Sequence, residues 1–529
     1  MLDKLRNSGV ASFLKNLTSE KNLNILREFF MGKWYPVWVA FSVLIGRVTC
    51  LELYFTMLDF VLVATALLLC DSIRPVLPNL ITFLFRIPLE HSPGYPYYST
   101  YYGGVKIVFF AIFASVFFAA LVYFFVKNKV FAKVNIVKTP LFIPLAVFSL
   151  SFLTAGMLSG NRMKEDIGFA LLQVFVFFIV YLILYYGLRS ENERELSNYF
   201  IYISAMCAVV LILEVLDVFL RVDGAMVGGV MNKQYIDFGW GISNTCGSAL
   251  SVLTPMCVLG AMRAERRYVS AIYFTIGVLT ATAVYFTLAR ASVLVGTVGF
   301  LICMIISCFA GKQKKVCRIA TVLAIAIFVA ISTVFKEDIR QMFTHFTNEG
   351  LDDNGRYYLW NVAWERFKAA PLFGNGYFSY NVGPKMSTFI PSQAHNTFLQ
   401  LMCSMGLFGL VSYIVYRVYT FFPFFKRFTI DKFVLMVSCG ILVFESLIDN
   451  FIFWFSPTFI YNIIIVLAFM HCEQYVPSED KPEQKEISDG AQNSPEEASV
   501  GASDETGNVE GEMIVHDSPV DIENPNVAI

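Results

Sequence analysis

The sequence predicts an all-α, polytopic transmembrane helical bundle of about twelve spans, with a large, partly helical extracytoplasmic loop and a disordered acidic C-terminal tail. Three observations predict it. Apolar runs of about 17 to 25 residues recur along the chain, the length a helix needs to cross the hydrocarbon layer. A long polar stretch, residues 336–393, interrupts them, and charge divides sharply between body and tail. Hydrophobic residues are 56% of the 529 and charged residues 15%, with a mean hydropathy of +0.60, which excludes an ordinary soluble protein. No strand alternation competes with the apolar runs, so they read as helices, whose backbone groups are satisfied within each segment.

Residues 1–33 come first and carry Lys4, Arg6, Lys15, Lys21, Arg27 and Lys33 without a central apolar core. They read as a basic cytoplasmic segment and not as a cleavable signal peptide. Residues 34–335 hold the first group of spans, at 36–51, 53–72, 105–126, 140–158, 167–186, 198–220, 243–262, 268–288, 291–311 and 319–335; after the 336–393 loop, residues 394–472 hold 396–420, 433–450 and 454–471. Basic residues gather at Lys127 to Lys138, Arg263 to Arg267, Lys312 to Arg318 and Lys426 to Lys432. Even numbers of crossings separate these clusters, so all can be cytoplasmic together, as the positive-inside rule requires. Thirteen spans would put the basic N-terminus outside. The segment 36–51, which ends near Arg47 and Glu52, is therefore expected to be re-entrant or interfacial, leaving twelve crossings; a crossing by the Pro-rich stretch 73–88 would instead make fourteen.

Residues 473–529 hold fifteen of the 41 acids and two of the 40 basics, leaving 38 basics against 26 acids in the body. That composition buries too little apolar surface to offset chain entropy, so the tail is expected to be disordered. The eleven cysteines are scattered singly, with no CxxC pair or His-linked spacing, and read as small core residues; no metal site is expected. The basic clusters suit a membrane surface and not nucleic acid.

By this topology three features share the outer side: the turn around Arg290, the 336–393 loop, and the start of the span at His395. The chain reads His395-Asn396-x9-Gly406-x2-Gly409. A histidine at a membrane boundary can do acid/base or phosphate work on a group held in the bilayer, and glycines further down the helix permit close packing. The pair could equally cap a helix at the interface. In the loop, Asp353 or Asn354 can cap a short amphipathic helix in which Trp360, Ala363, Trp364 and Phe367 share a face and Arg356 stands one turn before Trp360. A guanidinium beside aromatic faces suits an anionic phosphate next to sugar rings; a lid helix resting its tryptophans in lipid is the plainer alternative. Arg290 is costly between two apolar runs. It could snorkel to headgroups or pair with Glu214, Asp217, Glu445 or Asp449, the last two standing at i and i+4.

Together, His395-Asn396 with Gly406 and Gly409, the Asn354-Gly355-Arg356 to Trp360 stretch, the Pro371-Leu372-Phe373-Gly374-Asn375-Gly376 run and Arg290 resemble the O-antigen ligase and O-antigen polymerase superfamily. Gly241 to Gly247, containing Asn244, is similar to its Asn-bearing start of a central span. The chain departs from the pattern in carrying Ala289 and Ala291 beside Arg290.

The resemblance implies a multi-pass protein of the bacterial inner membrane that transfers a glycan at the outer face from an undecaprenyl-pyrophosphate-linked oligosaccharide, without metal or cofactor. The acceptor is a second carrier-linked glycan for a polymerase of O-antigen, capsule or exopolysaccharide, or a lipid A core sugar or protein hydroxyl for a ligase; a chain-length regulator and a flippase would be partners. It implies that Arg290 and Arg356 hold the diphosphate and His395 acts as general base, with Asn396, Trp360, Trp364 and Asn244 as substrate contacts and Glu445 and Asp449 as supporting carboxylates. Physical reasoning agrees: pyrophosphate leaves readily, so the site must neutralise charge and orient a hydroxyl. A carrier tail held in lipid calls for a lateral cleft, over which the loop can close to exclude water. A transporter remains the alternative of another class, but transporters place broken helices and ionisable groups near mid-membrane, whereas these candidates cluster at one face.

Overall fold

The structure, a computed structural model, describes residues 19–49, 51–82, 105–130, 136–160, 162–221, 226–227, 230–231, 243–334, 340, 356–378, 394–448 and 455–474. Helices α1 (Glu20–Met31), α2 (Trp34–Thr49), α3 (Glu52–Leu69), α4 (Val76–Thr82), α5 (Val105–Lys127) and α6 (Phe142–Thr154) open the chain. Next come α7 (Lys164–Val174), a π turn (Phe175–Ile179), α8 (Val180–Leu188) and α9 (Glu193–Arg221), then a two-residue antiparallel ladder, β1 (Met226–Val227) with β2 (Val230–Met231). The remaining helices are α10 (Ser243–Arg263), α11 (Arg267–Phe286), α12 (Arg290–Phe309), α13 (Lys314–Val334), α14 (Arg356–Ala369), α15 (Thr397–Phe425), α16 (Ile430–Glu445) and α17 (Phe455–Gln474). The acidic tail beyond Gln474, like Asp353, Asn354 and Asp449, lies outside the described residues.

Each apolar run singled out in the sequence is helical. Among the described residues eight helices are long and apolar enough to cross a membrane, or nine if α1 and α2 count as one bent span, against the twelve crossings expected. The expected spans not among the eight are those at α6, α13, α16 and α17, of which α16 has only 16 residues. Helix α1 meets α2 at 66°, the geometry of a broken or re-entrant segment, and α6 is only 13 residues long. The Pro-rich stretch yields the seven-residue α4, which at 1.5 Å per residue is far too short to cross. Helices α5 and α13 present exposed Val108, Phe109, Ile112, Ile319, Val322 and Leu323, apolar surface that only lipid would cover.

Helix α10 is the axis of the bundle. It is wholly buried and packs against α9, α11, α12, α16 and α17. Small residues allow this: a methyl on Gly247 would fall 2.8 Å from Thr287 Oγ1 and from Ala289 Cβ, and one on Gly296 of α12 would fall 2.4 Å from Ser251 Oγ. Close backbone approach of this kind supplies packing where lipid offers no hydrophobic drive between helices. Elsewhere the π turn frees the Val176 carbonyl, which accepts from Asn462 Nδ2 at 3.1 Å. Buried Arg417 of α15 sits over the rings of Tyr413, Tyr416 and Tyr461 at 4.4–5.3 Å, an aromatic cage that no sequence pattern announced.

Contacts fix which helix ends lie together. Gly299 of α12 packs on Val437 and Ile441 of α16, and the end of α12 and the start of α16 both meet the end of α10, so α12 and α16 run antiparallel. Thr397 N donates to Ser446 O and Asn396 Nδ2 to Leu447 O, bringing the start of α15 to the end of α16. At the opposite end Arg263 pairs with Asp431 at 2.8 Å and Lys312 N donates to Met262 O, so three of the basic clusters meet there. Lys432, 1% exposed, donates to the carbonyls of Pro423 and Lys426 and so closes the C-terminal turn of α15.

Candidate active site

The Pro371 to Gly376 run is not a loose connection. Helix α15 breaks at Gly406, whose φ of 67° and ψ of −161° leave the amides and carbonyls around it without helical partners. The run inserts into that break. Leu407 N donates to Pro371 O at 2.8 Å and Phe408 N to Leu372 O at 3.1 Å, while Asn375 N donates to Cys403 O at 2.9 Å and Gly376 N to Ser404 O at 3.0 Å. The four bonds repair the break from outside the helix, as a membrane-embedded discontinuity requires. Gly374 must be glycine on two counts: its φ is +66°, and a methyl there would lie 2.3 Å from the Ser404 carbonyl carbon. The sequence reading took Gly406 as a packing residue inside a continuous span; instead it marks the break.

Asp166, at the start of α7 and 1% exposed, clamps the end of the run. One carboxylate oxygen accepts from the amides of Tyr377 and of Phe378, the latter at 3.0 Å, and the other accepts from Met163 N at 2.7 Å. Sequence reasoning missed Asp166; the available signal was a carboxylate at the mouth of an apolar run with no basic neighbour on its own face. Asp166→Asn offers one oxygen for three amides and turns an NH2 toward a donor. It is expected to cost about 1.5–3 kcal/mol, read as a lower midpoint of thermal unfolding in detergent; an unchanged midpoint would remove the clamp from the account.

The loop helix α14 forms where the aromatic pattern predicts a helix. Ala363 is fully buried against Ala394 and Cys403, and Trp360 Nε1 donates to Ala394 O at 3.0 Å. Asn375 Nδ2 donates to Arg366 O, so α14 runs alongside the first turns of α15 in the same direction. The expected common face is split. Trp360 packs inward, whereas Trp364, 45% exposed, stacks with Phe367 on the outer side with Tyr357 and Tyr358 also exposed. Arg356 is the first residue of α14, partly buried, with no ion pair or side-chain hydrogen bond to a described residue.

His395 stands directly after the carbonyl that Trp360 holds. Its φ is +48°, a left-handed conformation that a non-glycine residue adopts at a cost of about 1–3 kcal/mol. Asn396 is the N-cap of α15: its Oδ1 accepts from Leu399 N at 3.0 Å while its amide reaches Leu447 O at 2.9 Å. Asn396 thus has a demonstrable structural task beside any contact with substrate. Glu445, fully buried, is the last residue of α16. Helix α16 ends at Glu445, and the Ser446 and Leu447 carbonyls accept from the start of α15; Asp449, the other carboxylate expected here, lies outside the described residues.

Arg290 opens α12 beside the start of α10, where Asn244 lies in the first turn. Of the carboxylates considered for Arg290, Glu214 forms an ion pair with Arg47 at 3.9 Å, both side chains buried. Contacts therefore join Trp360 to Ala394 and Asn396 to the end of α16, with His395 between these two residues in the chain and Arg356 one turn from Trp360. Arg290 and Asn244 stand at the same end of the bundle, on the neighbouring α12 and α10. The N-termini of α10, α12, α14 and α15 all point to this end, and each contributes partial positive charge and unsatisfied amides. Such an end can hold a polyanion.

Residues 275–414 match the family described as O-antigen ligase. The matched stretch runs from within α11 to beyond the Gly406 break, and contains Arg290, Arg356, Trp360, Trp364, His395 and Asn396. It supports membership of the O-antigen ligase and polymerase superfamily and a glycan-processing function of that type. No curated protein matches the chain.

Proposed function

We propose that this chain is a glycosyltransferase that moves a glycan from an undecaprenyl-pyrophosphate carrier to an acceptor hydroxyl at the outer face of the inner membrane, polymerising surface-polysaccharide repeat units. The observation that supports the reading is that four helix N-termini lie at one end of the bundle, two opened by Arg290 and Arg356 and a third preceded by His395. In a twelve-crossing topology with both chain ends inside, this end of the bundle faces outward and the basic turns face the cytoplasm.

The acceptor hydroxyl attacks the anomeric carbon of the donor sugar, forming the new glycosidic C–O bond as the bond to pyrophosphate breaks. His395 takes the hydroxyl proton. Arg290, Arg356 and the helix termini take the charge that develops on the diphosphate, so the chemistry needs no metal. Trp360, Trp364, Asn396 and Asn244 line the path of the sugars, and Glu445, with Asp449, supports the cations. A flippase would act before this step, and a chain-length regulator on its product.

Ligation to a lipid A core sugar or a protein hydroxyl is the second reading, favoured by the description of the matched family. The two readings share the donor half of the site and differ in acceptor. Arg356→Ala removes one charge-assisted contact and is expected to lower transfer about 10- to 100-fold, with Arg356→Lys intermediate. A polymer ladder from a deletion strain complemented with each variant reads the loss, and the form of the product separates the readings: a shortened ladder means polymerase, an unattached polymer means ligase. A full ladder from Arg356→Ala would count against the diphosphate role.

A further inference from the structure

At the end of the bundle opposite His395, a cavity of about 700 Å³ opens between the α1–α2 elbow, the start of α9 and the α10–α11 turn. Its lining carries five basic side chains against three acidic ones. Arg263 is neutralised by Asp431 at 2.8 Å, Lys312 by Glu265 at 2.9 Å, and Arg74 by Glu191 with Glu195 at 3.9 Å. Lys33 and Arg194 are left over, with no ion pair or side-chain hydrogen bond to a described residue. The Tyr199 hydroxyl, on a lining side chain only 7% exposed, likewise has no partner among the described residues. Glu191, Glu195, Glu265 and Asp431 set four negative charges against the five cations, so the cavity keeps one net positive charge, with Lys33 and Arg194 outside direct ion pairs beside a buried hydroxyl without a described partner, a setting that suits a phosphate.

The surroundings say where that phosphate comes from. Trp34, Tyr268 and Phe309, each close in sequence to a lining residue, are 58–73% exposed. Large aromatics exposed beside basic residues mark the headgroup level of a bilayer, and basic pockets between spans at that level take anionic headgroups. We infer that this cavity binds the phosphate headgroup of an anionic phospholipid through Lys33, Arg194 and Tyr199, at a site separate from the proposed chemistry.

The test uses the full-length protein in detergent with phosphatidylglycerol, phosphatidylcholine and inorganic phosphate as probes. Lys33 and Arg194 are both exposed, so the Lys33→Ala/Arg194→Ala variant is expected to keep the native gel-filtration profile and lipid-free unfolding midpoint. Phosphatidylglycerol is expected to persist in native mass spectra and to raise the thermal midpoint, with phosphatidylcholine inert. Each substitution should weaken that binding about fivefold and the pair about twenty-fivefold, the effect of one and of two interfacial basic residues. Stabilisation by inorganic phosphate with phosphatidylglycerol inert would keep the phosphate chemistry and assign it to a free anion. Absence of any effect from both, or undiminished phosphatidylglycerol binding by the double variant, overturns the site.

Discussion

His395→Asn is expected to abolish the polymer ladder, lowering transfer by about 10²- to 10⁴-fold, the usual consequence of removing a general base. Asparagine is the informative replacement because of the backbone. His395 holds φ at +48°, and asparagine is among the few residues that visit this region readily, so the turn between the Trp360-bound Ala394 and the capping Asn396 is kept. Alanine would confound lost chemistry with a strained turn. Membrane-inserted protein at the native level, with unchanged thermal unfolding, would separate the two causes. If His395→Asn forms a full ladder at native expression, the imidazole takes no proton and the base must be sought elsewhere.

Gly374→Ala is expected to be the most damaging single-methyl change in the matched region. The added carbon meets backbone, at 2.3 Å from Ser404 C and 2.4 Å from Met405 N, and no rotamer change can relieve it. The positive φ adds its own penalty of about 1–2 kcal/mol, and overpacking adds about 1–3 kcal/mol. The expected result is a loss of roughly 2–5 kcal/mol, seen as a lower unfolding midpoint and poor recovery from membranes. Activity should fall with stability, because the same insertion holds α14 and the start of α15. Gly160→Ala is the control: its φ is also positive, at +69°, but no atom lies within 4 Å of the added methyl, so only the conformational penalty applies. Equal effects at the two positions would show that strain, and not the inserted backbone, governs Gly374.

The apolar helices were legible because a span announces itself in composition alone: enough consecutive apolar residues leave the backbone no alternative to a helix. The number that can cross was less legible, since α6 and α1–α2 depend on where turns and bends fall. The central position of α10 could not be read from periodicity, because a helix buried all round has no polar face; its run of Gly, Ala, Ser and Thr was the usable trace. At the candidate site the sequence identified His395, Asn396 and the Trp360 helix from local pattern. Asp166 and the α15 break stayed hidden, because each is defined by backbone groups that arrive from 28 or more residues away. Helix α16 stops where its carbonyls find better use, and that use lies on another helix.

The four backbone bonds between the Pro371–Gly376 run and the broken α15 weld the segment that follows α14 to α15. Lifting α14 would strand eight polar groups in an apolar setting, so it does not behave as a hinged cover. On the proposed reading, a substrate with a long isoprenoid tail would then slip in from the side, between neighbouring helices, and product would leave by the same kind of seam. Cross-linking α14 to α15 should leave turnover untouched, whereas stapling the helices that border the seam should stop it.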